Sequence, residues 1–205
     1  MKVMNTTSIV LAGGKSLRLG RDKVQEKLGV ESLLQRVLQR LNLLGGDILV
    51  VTSQERAAPL PLDPQIPVRV IKDVYPGRGA LGGLYTGLLA SNTQYNVVVG
   101  CDMPFLSLDL LRHIIKVAEG FDVAVPRLGE YLEPLHAVYS RSCLAAISPL
   151  VELGQYPIFD FYPDVAIRYV EQDEIDRFDP NHVSFVNINT EADLERARSL
   201  YEQGY

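Results

Sequence analysis

The sequence predicts an α/β fold, with a mostly parallel, doubly wound sheet and helices on both faces. Short, nearly continuous apolar runs alternate with helical patterns over the first two thirds of the chain. Such runs are typical of parallel strands that are buried on both faces. Their repeated β-α-β order indicates an open sheet with right-handed crossovers. Strands are predicted at residues 8–11, 48–52, 68–71, 97–100 and 122–125.

The segments between these strands place apolar residues on one helical face. Ser32 and Gln35 fit a capping box at the start of the first helix, and Gly45 and Gly46 follow its end. Ser107 is the predicted N-cap of the third helix. Helices are predicted at residues 32–43, 81–90 and 108–118.

The last third of the chain is less regular. Pro157 and Pro163 favour a loop-rich stretch at residues 156–164. An antiparallel strand pair is expected in this part. Strands are predicted at residues 132–139, 166–170 and 183–186, and helices at residues 142–153 and 190–201.

Composition excludes several classes of protein. The 205 residues carry 20 Lys and Arg against 25 Asp and Glu, a net charge of −5, which argues against a nucleic-acid-binding protein. The two cysteines, Cys101 and Cys143, form no CxxC motif or Cys/His cluster, so a disulfide framework and a structural zinc site are not expected. No targeting signal or apolar run long enough to cross a membrane is visible, so we expect a cytoplasmic protein without membrane association.

The loop after the first strand, residues 11–23, is the first candidate site. Its glycines allow close approach of the backbone to an anion, and Lys15, Arg18, Arg21 and Lys23 concentrate positive charge in an otherwise acidic chain. This suits a triphosphate, although a Gly-rich turn with surface charges remains an alternative. The loop lacks GxxxxGK[ST] and GxGxxG, so P-loop NTPases and dinucleotide-binding dehydrogenases are disfavoured.

Two aspartates follow other predicted strands. Asp102 comes directly after the apolar run that ends at Gly100, and Asp73 follows the third strand, ahead of the Gly-rich segment 76–84. In open α/β sheets, ligands bind at the carboxyl ends of strands. Asp102 therefore fits a ligand of Mg²⁺, a metal that takes one or two carboxylates plus substrate phosphates. A turn-capping role for Asp102 remains the alternative.

These motifs together resemble the nucleotidyltransferases that activate sugars and cofactors with a nucleoside triphosphate, and more closely the molybdenum cofactor guanylyltransferases. The resemblance spreads from residue 8 to about residue 195, nearly the whole chain. The matching segments are LAGGKSLRLGRDK, IKDVYPGRGALGGL, VVVGCDMPFL, LEPLHAVY and FVNINTEADL.

The resemblance implies the Rossmann-like nucleotidyltransferase fold and the transfer of GMP from GTP to molybdenum-bound molybdopterin, with release of pyrophosphate. It implies that Lys23 and Arg18 contact the phosphates, that Asp73 contacts the nucleotide, and that Asp102 ligates Mg²⁺. The implied catalytic residues are thus Arg18, Lys23 and Asp102. The residues implied to bind the nucleotide are Leu11, Ala12, Gly13, Gly14, Lys23, Asp73 and Asp102.

Some positions do not decide which nucleotide and which acceptor the protein uses. Gly14 favours guanine, because relatives that use CTP resemble LAAG there, yet a CTP-dependent molybdopterin or sugar-phosphate nucleotidyltransferase remains the alternative. Thr52 stands after the second strand where family members can carry Asn, so that contact is not carried over. Asn187 and Asn189 match the family's N-x-N without an assigned role. His136 is either a structural residue or a contact to the pterin.

The resemblance also implies an organisation and partners. We expect a single domain over residues 1–205, with a nucleotide-binding half at about 1–125 and an acceptor-binding part at about 126–205. Proteins that mature molybdoenzymes are implied partners, and a monomer or weak oligomer is expected. A nucleotide-sensing protein with an inactive site and a flavodoxin-like binding module are the alternatives from other classes.

Overall fold

The computed structural model describes residues 5–13, 23–154 and 157–205. The strands are β1 Thr6–Leu11, β2 Lys27–Leu28, β3 Glu31–Ser32, β4 Ile48–Thr52, β5 Val68–Lys72, β6 Tyr95–Gly100, β7 Val123–Leu128, β8 Tyr131–Leu132, β9 His136–Ser140 and β10 Ile167–Glu171. The α-helices are α1 Leu33–Asn42, α2 Gly79–Ala90, α3 Leu108–Val117, α4 Cys143–Leu153, α5 Gln172–Ile175 and α6 Glu191–Glu202.

The main sheet is mixed but mostly parallel, and its strands lie in the order β10-β7-β9-β6-β1-β4-β5. β1 pairs in parallel with β4 and β6, β4 with β5, and β7 with β10. β9 runs antiparallel between β6 and β7, and β8 pairs antiparallel with β7. The predicted α/β fold with a mostly parallel sheet is confirmed, and the antiparallel strand lies in the last third of the chain as expected.

Helices cover both faces of the sheet. One face packs against apolar residues of α1 and α3, such as Val37 and Leu110, and the other against α2 and α4, such as Leu84 and Ile147. Side chains of each central strand alternate between these two clusters. Burying an aliphatic side chain stabilises the fold by about 1.5–3 kcal/mol. Both faces are therefore apolar, and this is why the strands read as continuous apolar runs.

Three of the predicted helix starts are confirmed by their caps, whereas α2 begins two residues earlier than predicted. The Ser32 hydroxyl accepts from the N–H of Gln35 at 3.2 Å, and the Gln35 side chain accepts from the N–H of Ser32 at 2.8 Å. Ser107 caps α3 by accepting from the N–H of Leu110. Thr190 and Asp193 form a capping box at the start of α6. These local bonds satisfy N–H groups that have no partner within the helix.

Two predictions in the last third were wrong. Residues 183–186 do not form a strand, and Val183–Phe185 is a 3₁₀ turn. The buried carboxylate of Asp179 accepts from the N–H groups of Val183 and Ser184 at 3.0 and 2.8 Å. Pairing with a neighbouring strand would require the same N–H groups as donors. Because Asp179 already accepts from them, the segment forms a turn instead.

The strand predicted at residues 132–139 is divided in two. β8 ends at Leu132, a turn follows in which the N–H of His136 donates to the carbonyl of Glu133, and β9 begins at His136. Pro134 lies in this turn and has no N–H that could donate a hydrogen bond to a neighbouring strand. The short antiparallel pair β2–β3 and the single-turn helix α5 were not predicted. In the described part of the chain, no helix is long and apolar enough to cross a membrane.

Candidate active site

Three side chains from distant parts of the chain meet at the carboxyl edge of the sheet. The Lys23 ammonium donates to Oδ2 of Asp102 at 2.9 Å and to Oδ1 of Asn189. The side chains of Lys23 and Asp102 are 18% and 15% exposed. Lys23 and Asn189 lie 166 residues apart in the sequence. The structure thus brings together two residues that the sequence predicted to act together and a third whose role it left open.

The end of β6 fixes Asp102. A side chain at position 100 would place its Cβ only 2.6 Å from Oδ1 of Asp102, so Gly100 leaves the space that the carboxylate occupies. The N–H of Cys101 donates to the carbonyl of Leu11 at 3.2 Å, and the carbonyl of Asp102 accepts from the N–H of Ile188 at 3.1 Å. The loop is therefore tied both to β1 and to the C-terminal segment.

Asn189 is held by the start of α6. Its N–H donates to the carboxylate of Asp193 at 3.0 Å, and the N–H of Thr190 donates to the same oxygen at 2.8 Å. Desolvation alone would raise the pKa of Asp193, but these hydrogen bonds lower it. A helix cap thereby fixes the residue that contacts Lys23. The N-x-N pattern was visible in the sequence, but its partner was not.

The described part of the first loop lies beside this cluster. The sheet already uses the carbonyl of Leu11 and the N–H of Ala12, which donates to Val51 at 2.8 Å. Gly13 is exposed, and a Cβ there would lie 3.4 Å from the backbone nitrogen of Ser53. The predicted positions Gly14 and Arg18 lie outside the described residues, as do Lys15 and Arg21.

Asp73 ends up at the same sheet edge but in a different environment. Its Oδ1 accepts from the Thr86 hydroxyl at 2.7 Å and from the N–H of Tyr75 at 3.0 Å. These bonds tie the carboxylate to α2 and to the turn that precedes it. β5 lies three strands from β6, which at the usual strand spacing is about 14 Å. Asp73 and Asp102 could therefore contact opposite ends of one extended ligand.

Thr52, at the end of β4, is 1% exposed. Its hydroxyl has no hydrogen-bond partner among the described residues. Thr52 occupies the position where family members can carry Asn, and its side chain points into the protein interior.

The remaining candidates lie on the other side of β6. His136 is fully buried and lies edge-on to Phe185 at 4.9 Å, and neither ring nitrogen has a partner among the described residues. Burial lowers the pKa of His136 to about 4, against an opposing effect of the Asp179 carboxylate. Asn187 donates to the carbonyl of Phe185 at 3.4 Å. His136 thus belongs to the interior, with its polar atoms unsatisfied.

Two charged residues are more accessible on that side. Arg127, near the end of β7, forms a two-pronged ion pair with Glu171, with a 3.1 Å contact from its Nε. The guanidinium also lies over the Tyr169 ring, 4.5 Å from its centre. Burial raises the pKa of Glu133, in the turn before β9, to about 6. The Arg127 guanidinium is therefore already compensated by Glu171, and Glu133 adds a further carboxylate beyond Asp102.

The donor set at Asp102 fits a hard divalent cation. Carboxylate oxygen is a ligand that Mg²⁺ prefers, and the space above Gly100 holds this carboxylate at the sheet edge. Within residues 5–13, 23–154 and 157–205, no three His, Cys, Asp or Glu side chains form a metal-binding group. A metal here would therefore depend on a ligand for most of its coordination, as Mg²⁺ does on substrate phosphates.

The sequence pattern of the family described as "MobA-like NTP transferase domain" matches residues 8–164. The chain belongs to this family. It is a nucleotidyltransferase, and the resemblance inferred from the sequence is confirmed. The family match includes Lys23, Asp73 and Asp102 but not Asn189.

Relatives that match nearly the whole chain carry the name of one activity. A protein of Pelotomaculum thermopropionicum is 34% identical over 200 residues, covering 98% of this chain and 95% of the relative, and is named probable molybdenum cofactor guanylyltransferase. A molybdenum cofactor guanylyltransferase of Desulfosudis oleivorans is 34% identical over 201 residues, covering 97% and 96%. This MobA-like chain therefore has curated relatives in molybdenum cofactor synthesis.

Solved structures agree on the fold. Molybdopterin-guanine dinucleotide biosynthesis protein A from Archaeoglobus fulgidus is similar with a TM-score of 0.85 and 28% identity, covering 97% of this chain and all of that one. The 2-C-methyl-D-erythritol 4-phosphate cytidylyltransferase of Thermus thermophilus gives a TM-score of 0.72 at 16% identity, covering 97% of this chain and 100% of that one. The second likeness shows the fold alone.

Proposed function

We propose that this protein transfers GMP from GTP to the terminal phosphate of molybdenum-bound molybdopterin and releases pyrophosphate. The observation that carries the proposal is the cluster of Lys23, Asp102 and Asn189 at the carboxyl edge of the sheet. It combines a cation for phosphates, a carboxylate for a metal and an amide, at the place where open α/β sheets bind ligands. The relatives' names supply the acceptor.

The reaction needs no nucleophile from the protein. A phosphate oxygen of the acceptor attacks the α-phosphorus of GTP and forms a new P–O bond. The bond between that phosphorus and the oxygen bridging to the β-phosphorus breaks, and its electron pair leaves with pyrophosphate. Catalysis is then positioning and charge neutralisation. Lys23 offsets charge on the departing pyrophosphate, and Asn189 holds the Lys23 ammonium in place.

Mg²⁺, bound by Asp102 and by phosphate oxygens, would supply Lewis-acid stabilisation of the charge on the transferred phosphoryl group. Asp102 is suited to this role because the loop after β6 is fixed to β1 and to Ile188, so the carboxylate needs little reorganisation.

The nucleotide extends across the strand ends in this proposal. The triphosphate lies near Lys23 and Asp102, and Asp73, about 14 Å away by strand spacing, contacts the base or ribose end. The exposed backbone of Gly13 is proposed to contact the base, whereas the N–H of Ala12 is already used by the sheet. Arg18 assists with the phosphates, and Gly13-Gly14 favours guanine.

The acceptor lies on the other side of β6. The chain from about residue 126 supplies β8, β9 and β10 there, so the molybdopterin end of the site is proposed on that part. Arg127 is proposed to bind an anionic acceptor by exchanging its present partner, Glu171, for that acceptor. Proteins that mature molybdoenzymes are the proposed receivers of the product.

A CTP-dependent reaction is the second candidate. It keeps the same phosphate and metal groups, and among the residues of the first loop only Gly14 favours guanine over cytosine. The two candidates share Lys23 and Asp102 and differ in the base-binding end.

Nucleotide binding tests both candidates. Melting temperature is measured with GTP, CTP, ATP and UTP in Mg²⁺, since a ligand at 100 times its dissociation constant stabilises the folded state by about 2.7 kcal/mol. Selective stabilisation by GTP that is lost in Lys23→Ala supports the guanylyltransferase, with Lys27→Ala as the matched control at an exposed position. Preference for CTP supports the second candidate, and no shift with any nucleotide contradicts both.

Transfer itself is then measured with α-³²P-labelled GTP and molybdenum-bound molybdopterin. The proposal expects label in the acceptor and an equal amount of pyrophosphate. Pyrophosphate release without labelling of the acceptor would contradict the assigned acceptor.

A further inference from the structure

We propose that Lys23 occupies the metal-binding position at Asp102 when no nucleotide is bound, so that the divalent cation enters only together with the nucleotide's phosphates. This inference rests on the proposed function, because it uses the metal role of Asp102. It concerns the order of binding, which the proposed function leaves open.

The starting point is the charge of Asp102. Its side chain is only 15% exposed, and a carboxylate so far removed from water needs a compensating cation. The Lys23 ammonium provides that cation at 2.9 Å from Oδ2. No other salt bridge to Asp102 is found within the described residues. The carboxylate that would bind a metal is therefore already in an ion pair.

A metal and the ammonium compete for this carboxylate. Two cations on one carboxylate repel each other strongly in a site with little water. Among the described residues, no group of three His, Cys, Asp or Glu side chains that could hold a metal includes Asp102. A divalent cation alone therefore has to displace Lys23 without gaining a set of three such protein ligands in return.

A nucleotide removes this obstacle. Its triphosphate offers anionic oxygens to the ammonium and further ligands to the metal. Lys23 has a flexible stem, so its ammonium can move from Asp102 to a phosphate. Asn189 supplies only a neutral amide oxygen to the ammonium, so it does not oppose that move by charge. Nucleotide and metal then bind cooperatively, each raising the affinity for the other.

The test measures Mn²⁺ binding without nucleotide, by electron paramagnetic resonance of the free ion. Wild type should bind Mn²⁺ weakly. Lys23→Gln removes the competing charge and should bind at least about tenfold more tightly, a difference of about 1.4 kcal/mol. Lys27→Gln removes one positive charge at an exposed position nearby and should leave Mn²⁺ affinity within about twofold of wild type, since surface charges are screened by salt.

Two further variants locate the effect. Lys23→Met, which has a neutral side chain of similar length, replaces Lys23→Gln if the latter lowers stability. It should show the same gain in Mn²⁺ affinity. Lys23→Gln combined with Asp102→Asn should lose the gain, because the carboxylate ligand is gone. Equal Mn²⁺ affinity of wild type and both Lys23 variants, or a gain that persists without Asp102, would overturn the proposal.

The result is separable from the proposed function. If wild type transfers GMP normally and binds Mn²⁺ as tightly as the Lys23 variants do, the competition is wrong and the guanylyltransferase stands. If the Lys23 variants gain Mn²⁺ affinity through Asp102 while GTP is not a donor, the competition stands and the guanylyltransferase is wrong.

Discussion

Asp102 and Asp73 follow parallel strands at the same edge of one sheet, yet their surroundings differ. Asp102 has Lys23 as its partner, supplied by the loop after β1. Asp73 has the hydroxyl of Thr86 and the N–H of Tyr75, both from its own βα connection. One carboxylate is held by the charge of a lysine from far along the chain, and the other by neutral local donors.

This difference teaches that an aspartate at a strand end has two kinds of use. A carboxylate that binds local N–H and hydroxyl groups stabilises the turn in which it lies. A carboxylate paired with a flexible lysine can exchange that partner for a ligand. We therefore expect changes at Asp102 to affect activity chiefly and changes at Asp73 to affect stability as well.

The largest effect is expected for Asp102→Asn. The amide keeps the shape of the side chain but loses the charge proposed to bind a metal, so kcat should fall about 10²–10³-fold, as when an electrostatic group of an active site is removed. The melting temperature should stay within a few degrees of wild type. Steady-state turnover with Mg²⁺ measures the change, and near-normal kcat would show that Asp102 is not the metal ligand.

The dependence of stability on pH tests a part of the fold that involves neither Asp102 nor Asp73. His136 has a pKa of about 4 in the folded protein against 6.5 for the free side chain. Below pH 6.5 the unfolded chain gains a proton that the folded protein does not, so stability is retained above pH 6.5 and lost as the pH falls toward 4. This contribution is about 3 kcal/mol over the whole window.

His136→Leu removes this titration. Urea unfolding at pH 7 and pH 4.5 should show a smaller acid-induced loss in the variant than in wild type. Glu133 acts in the opposite direction, because burial raises its pKa to about 6 and its protonation favours the folded state. Glu133→Gln is therefore the companion control. An identical pH dependence in wild type and His136→Leu would contradict the assignment to His136.

Asp73→Ala should lower the free energy of unfolding by about 2 kcal/mol, because two hydrogen bonds are lost at about 1 kcal/mol each. Urea unfolding at pH 7 measures this change. If Asp73 also contacts the nucleotide, KM for the nucleotide rises in the same variant. Unchanged stability would mean that the carboxylate does not hold the turn.

Thr86→Val has the smallest expected effect on the nucleotide and refines the comparison. It removes the hydroxyl that donates to Asp73 and accepts from the N–H of Val74, and it leaves the Asp73 carboxylate in place, so stability should fall by about 2 kcal/mol, about 1 kcal/mol for each hydrogen bond. Nucleotide affinity should change little, as measured by isothermal titration calorimetry. A loss of affinity as large as that of Asp73→Ala would show that Thr86 positions Asp73 for the ligand.

Much of the fold was predictable because it depends on local signals. The capping box of Ser32 and Gln35 lies within one helical turn, and the apolar runs encode burial on both faces of the sheet. The failures have equally specific causes. Residues 183–186 have strand propensity, but the buried Asp179 takes up two of their N–H groups.

The sequence by itself determined the parallel strands of the main sheet, the capped helices, the family and the two aspartates at strand ends, because each of these depends on short-range patterns and motifs. The tertiary structure decided which aspartate meets a lysine, that Asn189 completes the cluster, and that the buried ring nitrogens of His136 have no hydrogen-bond partner among the described residues. Those outcomes depend on contacts between segments up to 166 residues apart, and such contacts exist only once the sheet has brought the strand ends to one edge.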